Sequence, residues 1–595
     1  MFNSKNRYKD SVPFDTIKRI RESLHQIGLE VYEEKWENVS SECFSVRLSI
    51  DGFPEVGMNG KGITRSFALA SAYGELIERL QNKKLFKKTY GLKIDKYIFP
   101  DEKLGSIVRF SEENPTIMKH LVYDYKNECF FSLFDTYPKL SYFSEFYSVF
   151  ENKSQSLPVK LINMACGTNG MCAGNTSFEA LSHGICEIME RYVLKKILYN
   201  QLILPTIPIK NVKDAGILNL IKLLEKEGLE VIIKDCTLGG VYPVVGILLL
   251  NKSKTRYQFR LGSESLFSIA LERCFTEIFQ GGDIQSFIQH SMLPIEYNFE
   301  REESNIRNNL MRISKNGTGQ FPASIFYNLK VKDTYKKAFL MDMKNNKQAY
   351  EHLLKILKHN KYELYVRNLS FLDFPSYKIY IPGMSEIFIC NTKNIEDKIK
   401  QNKIGIYLLN IQKCNTDELE ILLEKLKKYC NINLKDYSIG NSPYFKVVNL
   451  HLNKANEFEK LDVRLITSLL CYILGEYKGA TKYFNEFMGS LSNKNYSNLN
   501  YYYCLKVFLD LKSKALNNEE IYSKIVNLFP ENTIRQVLED FKDHPIKLIT
   551  EMPLPSCPDC DKCNISKYCL WEKWKKINAY INDKLDFFDS YCTIN

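Results

Sequence analysis

The 595-residue sequence predicts a mixed α/β (α+β) amino-terminal region followed by an all-α one. Three observations carry this. Up to about residue 395, strand patterns alternate with helices that bear paired acids. From about residue 415 onward the pattern is helical throughout. A chain of this length also exceeds what one hydrophobic core accommodates. The expected domains are residues 1–395, 415–550 and a cysteine-bearing tail at 551–595.

Composition sets the outer bounds. With 45% hydrophobic and 25% charged residues, the chain reads as globular, neither disordered nor embedded in a membrane. Its longest apolar run, Val244 to Leu250, is far short of a membrane span. The start, Met1-Phe-Asn-Ser-Lys, lacks the apolar stretch of an export signal, so the cytoplasm is the expected location. The net charge of +11 is spread as lysines among Glu and Asn, a pattern of solvated surface more than of a nucleic-acid footprint. Seventeen cysteines without an export signal point to reduced thiols.

In chain order, residues 14–36 read as an amphipathic helix and Cys43 to Ile50 alternates like a strand. A helix follows at about 66–86, and a strand is expected at Val159 to Met164. Ala215 to Lys226 is a helix pattern closed by Gly228, and Leu229 to Lys234 and Tyr242 to Leu250 read as strands. Residues 378–388, KIYIPGMSEIF, read as a strand and a Pro-Gly turn. Helices are then expected at Asp417–Cys430, Asp462–Leu474, Gly479–Gly489, Asn500–Leu516 and Glu519–Phe529. The run LITSLLCYILGEYKGATKYFNEFM has the shape of a tetratricopeptide hairpin, with Gly475 and Ala480 small enough for close helix contact.

The chemistry centres on Asn169 to Tyr192, NGMCAGNTSFEALSHGICEIMERY. A Gly/Asn segment runs into a helix start, which aims free N–H groups and a positive dipole end at an anion. Glu187 and Glu190 share a face of that helix, with Arg191 one turn beyond Glu187. Alone, such a string is an ordinary solvated helix face. Here it recurs. Ala68, Ala180 and Ala270 each begin an Ala-Leu pair seven residues ahead of Glu75, Glu187 and Glu277, and each glutamate opens a similar tetrad, ending in Glu78, Glu190 and Gln280. Three copies of one helix pattern suggest internal duplication.

Side by side, the first two helices would bring four carboxylates together. Each close pair would repel by roughly 4 kcal/mol at 4 Å and an effective dielectric near 20. Such a cluster calls for cations, and an all-oxygen set suits Mg²⁺ shared with phosphates. Arg79, Arg191 and Arg273 add phosphate-binding charge, so a magnesium–nucleoside triphosphate is the expected occupant. Neither a G-x-x-x-x-G-K-[ST] loop nor a kinase His-Arg-Asp loop is present in the sequence.

These segments, GKG with ALASAYGELIER, TNGMCAGNTSFEALSHGICEIMERY and ALERCFTEIFQGG, resemble the three signatures of the YcaO family. The resemblance covers roughly residues 1–395. It implies that Glu75, Glu78, Glu187 and Glu190 hold magnesium, that Arg191 and Arg273 hold phosphates, and that Asn175 and Glu179 contact the nucleoside. In KDSVPFDTIKRI, Lys9 and Thr16 match a family lysine and a serine seven residues later. Cys172 stands where close relatives have serine, a weaker hydrogen-bonding group at an expected nucleoside contact.

The resemblance also implies the reaction. YcaO-like enzymes spend ATP to activate a backbone amide oxygen, so that another nucleophile can replace it. No nucleophile is assigned to this chain. Its end, DFFDSYCTIN, lacks the proline-rich tail common in azoline-forming members. The helical extension is similar to that of the standalone branch, which is implicated in aiding β-methylthiolation of a small-subunit ribosomal protein by a separate radical-SAM methylthiotransferase. The expectation is therefore an ATP-hydrolysing accessory factor, homodimeric, acting on a protein or peptide and not at a membrane. The alternative is an enzyme forming thioamides or azolines on a ribosomally made peptide.

The tail holds one further motif. Cys557, Cys560, Cys563 and Cys569 lie within thirteen residues, CPDCDKCNISKYC, and four thiols so close suit a metal. Zinc and an iron–sulfur cluster both fit the ligand set, and the missing distant Cys-x-x-Cys partner tilts the expectation toward iron–sulfur.

Overall fold

The computed structural model describes residues 8–586 except 41–42, 86–98, 137–140, 280–283, 285–286, 296–302, 317–318, 328, 331–333, 341, 389, 410, 433–436, 439–460, 492–498, 543–544 and 546–570. Two compact units emerge. Of the described residues, one holds those up to Thr392 together with 577–586, and the other holds those from Lys393 to Lys576.

The first unit opens with α1 (Pro13–Gln26), then β1 (Val31–Ser40), β2 (Cys43–Ile50) and β3 (Phe53–Gly62), an antiparallel three-stranded sheet, and α2 (Arg65–Gln81). The single helix expected over 14–36 is therefore corrected. It ends at Gln26, because Gly28 takes a φ of 72° and turns the chain into β1.

Next come β4 (Lys103–Leu104), α3 (Ile107–Glu113), α4 (Pro115–Leu121), α5 (Glu128–Thr136), β5 (Tyr142–Ser148), β6 (Lys153–Pro158), α6 (Val159–Cys166), β7 (Met171–Ala173) and α7 (Ser177–Asn200). The strand expected at Val159 to Met164 is the helix α6. Its short apolar run fits either element, and burial of Val159, Leu161, Ile162 and Ala165 decides for helix. After β8 (Pro205–Ile207) follow α8 (Ala215–Lys226), β9 (Leu229–Asp235), β10 (Val244–Asn251), β11 (Arg256–Ser263) and α9 (Phe267–Ile278). Then come β12 (Leu293–Pro294), α10 (Glu303–Asn316), β13 (Leu329–Lys330), α11 (Asn346–His359), β14 (Tyr365–Asn368) and β15 (Ser376–Tyr380). One six-stranded sheet runs β12-β11-β10-β9-β8-β13. The other runs β4-β5-β14-β15-β7, with β6 pairing β5.

Helix α7 is the spine of this unit. Its residues are buried on several sides, Ala180, Leu181, Ile185, Ile188, Met189 and Val193 among them, as expected of a helix packed all round.

The duplicated motif has a structural counterpart. Each acid-bearing helix follows a strand: β3 then α2, β7 then α7, β11 then α9. On the strand, Gly60 lies so close to α2 that a Cβ would fall 2.1 Å from the Ala68 carbonyl oxygen and 2.6 Å from Ala72 Cβ. Gly262 repeats this against Ala270 (2.2 Å) and Cys274 Sγ (2.8 Å). In the middle copy the sizes are exchanged: the strand carries Cys172 and the helix Gly184, where a Cβ would stand 2.8 Å from Cys172 Sγ. The three sets, 60/68/72, 172/180/184 and 262/270/274, share one spacing, and Glu75, Glu187 and Glu277 follow fifteen residues after the strand position. One backbone geometry therefore places all three glutamates.

In the second unit, helices Thr416–Cys430, Val463–Ile473, Tyr477–Leu491, Leu499–Ser513, Asn518–Ile525 and Glu531–Asp540 share a core that includes Leu422, Ile466, Phe484, Phe508 and Ile534. Asn415 and Asn517 each close a capping box with the glutamate three residues on. Gly475, at φ 76°, turns the chain between two helices, and Ser468 Oγ donates to the Ala480 carbonyl at 2.7 Å across that hairpin. Among the described residues no helix is long and apolar enough to cross a membrane.

Candidate functional site

A cavity of about 740 Å³ opens between the acid-bearing helices. Its lining takes in Glu75, Glu78 and Arg79 of α2, Glu187, Glu190 and Arg191 of α7, Arg273 and Glu277 of α9, and Arg260 of β11. Thr64 and Thr176 cap α2 and α7 by accepting the N–H of Phe67 and Glu179, both at 3.2 Å, which fixes where each helix starts and hence which turn meets the cavity.

The electrostatics divide the acids into two kinds. Burial drives the Glu78 carboxyl up to about 8, with Glu187 and Glu75 adding to the effect against Arg79. Burial likewise takes Glu190 to about 7, with Glu277 and Glu187 opposing the pull of Arg191 and Arg273. Glu277 is the opposite case. Burial would raise it, but the ion pair with Lys61 of β3, together with the charges of Arg191 and Arg260, outweighs that and holds it at about 2.

Arg79 spans the first pair, 3.3 Å from Glu75 Oε1 and 3.4 Å from Glu78 Oε1. Among the described residues no three acidic, histidine or cysteine side chains already stand together as a metal cage. The expectation of four converging carboxylates is corrected to that extent: they face one cavity and feel one another, with Arg79 interposed. Like charges without a counterion do not close up, and Mg²⁺ binds by a few carboxylates plus water and phosphate. Acids that retain protons near neutrality are under-compensated for positive charge, so this donor set fits a divalent cation.

At the start of α7 a second cluster forms. Lys9 Nζ lies 3.2 Å from Glu179 Oε1, and the Asp10 backbone N–H donates to Glu179 Oε2 at 2.9 Å. Burial would lower the Lys9 ammonium, but Glu179 outweighs it and raises it. Thr16 Oγ1 stands 2.8 Å from Asn175 Oδ1, and Asn175 Nδ2 donates to both Glu179 oxygens at 3.2 and 3.1 Å. Thr176 Oγ1 also donates to the Asp10 carboxylate. Lys9, Thr16, Asn175 and Glu179, scattered in sequence, are thus brought to one end of the cavity.

Cys172 is not. It is fully buried on β7 beneath the cavity, its thiol 3.8 Å from the Tyr377 carbonyl and packed on Gly184, and burial raises the thiol well above its ordinary range. Its size answers the missing Cβ of Gly184, so the nucleoside contact expected of it is corrected to a packing role. Its neighbours Ala173, Gly174 and Asn175 line the cavity instead.

Three lining residues escaped the sequence reading. His183, one turn before Glu187, has Nδ1 2.9 Å from Arg273 Nη1. Burial, then Arg273, Lys9 and Lys61, keep this imidazole far below its usual range and hence neutral, so Nδ1 accepts from the guanidinium. Arg273 also lies 3.9 Å from Glu264. Lys61 and Arg260 sit on strands, where no helical period marks them. Cys557, Cys560, Cys563 and Cys569 lie outside the described residues.

A family model described as YcaO cyclodehydratase, ATP- and Mg²⁺-binding, matches residues 59–385, more than half of the chain. The chain is 28% identical over 403 residues to the ribosomal protein S12 methylthiotransferase accessory factor YcaO of Escherichia coli. It is 29% identical over 398 residues to an uncharacterized protein of Haemophilus influenzae. Each alignment takes in 64% of this chain and 66% of the relative, just under two thirds of the relative's length. Among solved structures, a heterocyclase in complex with substrate and cofactor aligns with a TM-score of 0.43 at 14% identity, covering 65% of this chain and 54% of that one. YcaO from Methanopyrus kandleri bound with AMPPCP and Mg²⁺ aligns with a TM-score of 0.40 at 16% identity, covering 64% and 93%. The glutamate helices are thus met again in the matched segment, and this chain belongs to the YcaO family.

Proposed function

We propose that this protein binds a magnesium–nucleoside triphosphate in the 740 Å³ cavity and uses it to activate a backbone amide of a protein or peptide substrate. One observation carries the reading: acids from two equivalent helices and several arginines face a single cavity whose other end is closed by the Lys9, Thr16, Asn175 and Glu179 cluster. Glu75, Glu78, Glu187 and Glu190 would hold the cation, Arg191 and Arg273 the phosphates, and the cluster at the start of α7 the nucleoside. When bound, the metal-nucleotide supplies a phosphoryl group that makes the amide oxygen a competent leaving group. The chain's own residues hold and orient: the arginines offer fixed charge to developing negative oxygen, and buried His183 fixes Arg273 without adding charge.

For the biological role we infer an accessory factor in β-methylthiolation of a small-subunit ribosomal protein, beside a radical-SAM methylthiotransferase. The name of the Escherichia coli relative supports this. A peptide-modifying enzyme, making thioamides or azolines, is the second reading, supported by the cyclodehydratase description of the family. The helical unit would serve as an interaction or dimerisation module, and the four tail cysteines would hold an iron–sulfur cluster or zinc. Mass spectrometry of small-subunit ribosomal proteins from a deletion strain tests the first role. Loss of the methylthio mass supports it; an unchanged mass discards it and leaves the nucleotide reading standing.

A further inference from the structure

The arginines around the cavity differ in how they are satisfied. Arg79 is engaged by Glu75 and Glu78, and Arg273 by His183 and Glu264. Arg260 has no such support. Its Nε is buried and meets no hydrogen-bond partner, and among the described residues no carboxylate lies within ion-pair distance of it. The charges it faces are Glu277, Arg191 and Glu190. Glu277, the strongest of them, makes its ion pair with Lys61 and none with Arg260. Arg260 is also peculiar to the third copy of the strand–helix unit, since the residues two before Gly60 and Cys172 are Met58 and Gly170.

A buried guanidinium N–H without a hydrogen-bond acceptor is a standing cost to the fold, and here that group is Nε of the half-buried Arg260. The need is for an anion, and a planar fork suits phosphate oxygens. Position narrows the choice. The cluster proposed for the nucleoside sits by Glu179, whereas Arg260 faces Glu190 and Arg191, eleven and twelve residues further along α7. At 1.5 Å per residue that is about 18 Å along the helix axis. A nucleotide lying along α7 would reach this end only with the last of its phosphates.

We propose that Arg260 holds the terminal phosphate of the bound nucleoside triphosphate and so distinguishes it from the diphosphate. This rests on the nucleotide reading of the cavity. The test is calorimetric titration of the wild-type protein, Arg260→Gln and Arg260→Lys with the β,γ-imido analogue of ATP and with ADP, both with Mg²⁺, alongside thermal melts without ligand. Arg260→Gln is expected to weaken the triphosphate analogue about 10- to 100-fold, the range for a lost charge-assisted phosphate contact. ADP should change less than about twofold, and Arg260→Lys should fall between. Unliganded Arg260→Gln should melt no lower than wild type, because a buried Nε–H that has no acceptor has been removed. Unchanged analogue binding by a folded Arg260→Gln overturns this assignment alone. Equal loss of both nucleotides with a lowered unliganded melt marks a structural role and overturns it too. A wild-type protein that binds neither nucleotide overturns the reading of the cavity as well.

Discussion

Gly60 and Ala68 approach so closely that a Cβ on the glycine would lie 2.1 Å from the alanine carbonyl oxygen. The contact sets how deep α2 sits on β3 and hence where Glu75 and Glu78 meet the cavity. Gly262 and Ala270 do the same for α9 at 2.2 Å. Because the atom met is backbone, Gly60→Ala and Gly262→Ala should each destabilise by about 1–3 kcal/mol or more. Gly489, inside a helix with nothing within 4 Å of its would-be Cβ, serves as the contrast. Gly489→Ala should gain about 0.5–1 kcal/mol. Urea denaturation reads all three, and alanine tolerated at both strand glycines would refute the packing account.

The carboxyls predict a pH dependence of opposite sign to the usual one. Glu78 and Glu190 sit at about 8 and about 7 in the folded chain against an ordinary 4.5. Their contribution to stability is complete below about 4.5 and is lost as pH rises through 7 to 8. Glu277, held at about 2, contributes above 4.5 and fails only as pH falls toward 2. Metal-free protein should therefore melt lower at pH 8.5 than at pH 6, and the thermal shift produced by Mg²⁺ with a triphosphate analogue should grow over that range. Calorimetry in buffers of different ionisation enthalpy should show roughly one to two protons released on binding near pH 6.5. A thermal shift that is flat with pH would contradict the placement of these acids.

At the other end of the cavity, Thr16→Ala removes the hydroxyl beside Asn175, and Glu179→Gln removes the charge that holds Lys9. Each should weaken nucleotide binding by about 10-fold, the scale of one or two lost hydrogen bonds. Cys172→Ser should leave affinity within about twofold, because the thiol points at Gly184 and Tyr377. Isothermal titration of the three variants decides. A large loss for Cys172→Ser with none for Thr16→Ala would reverse the assignment.

The tail cysteines yield a compositional prediction. Protein purified without oxygen should carry iron and acid-labile sulfide, and Cys560→Ala should lose both. Zinc in their place would redirect the assignment to a structural site.

Much of the site was legible because helical period and motif coincide. The Glu-x-x-Glu-Arg strings of α2 and α7 mark their own faces, whereas Asn175 and Glu179 are singled out only by the resemblance to the YcaO family. Arg260, Lys61 and His183 were not legible. The first two stand on strands, and the acids whose charge they feel, Glu190 for Arg260 and Glu277 for Lys61, are distant in sequence. His183 matters through Arg273, ninety residues away. In the fold, β1 was hidden because VYEEKWENVS is charged and continues the polar spacing of α1 beyond Gly28. Helix α6 was misread because VKLINMAC is too short for period to separate helix from strand. Cys172 shows a different limit: its role depends on the size of Gly184 across the contact, which no local pattern encodes.

The most direct measurement is titration of Mg²⁺ with a non-hydrolysable ATP analogue into wild-type protein and Glu187→Gln. Glu187 adds to the charge felt by both Glu78 and Glu190, so it joins the two halves of the acid set. Wild type should bind tightly and only with magnesium, and the variant should lose at least 100-fold with its unliganded melting temperature preserved. Binding undiminished by the substitution, or indifferent to Mg²⁺, would contradict the magnesium–nucleotide reading of the cavity.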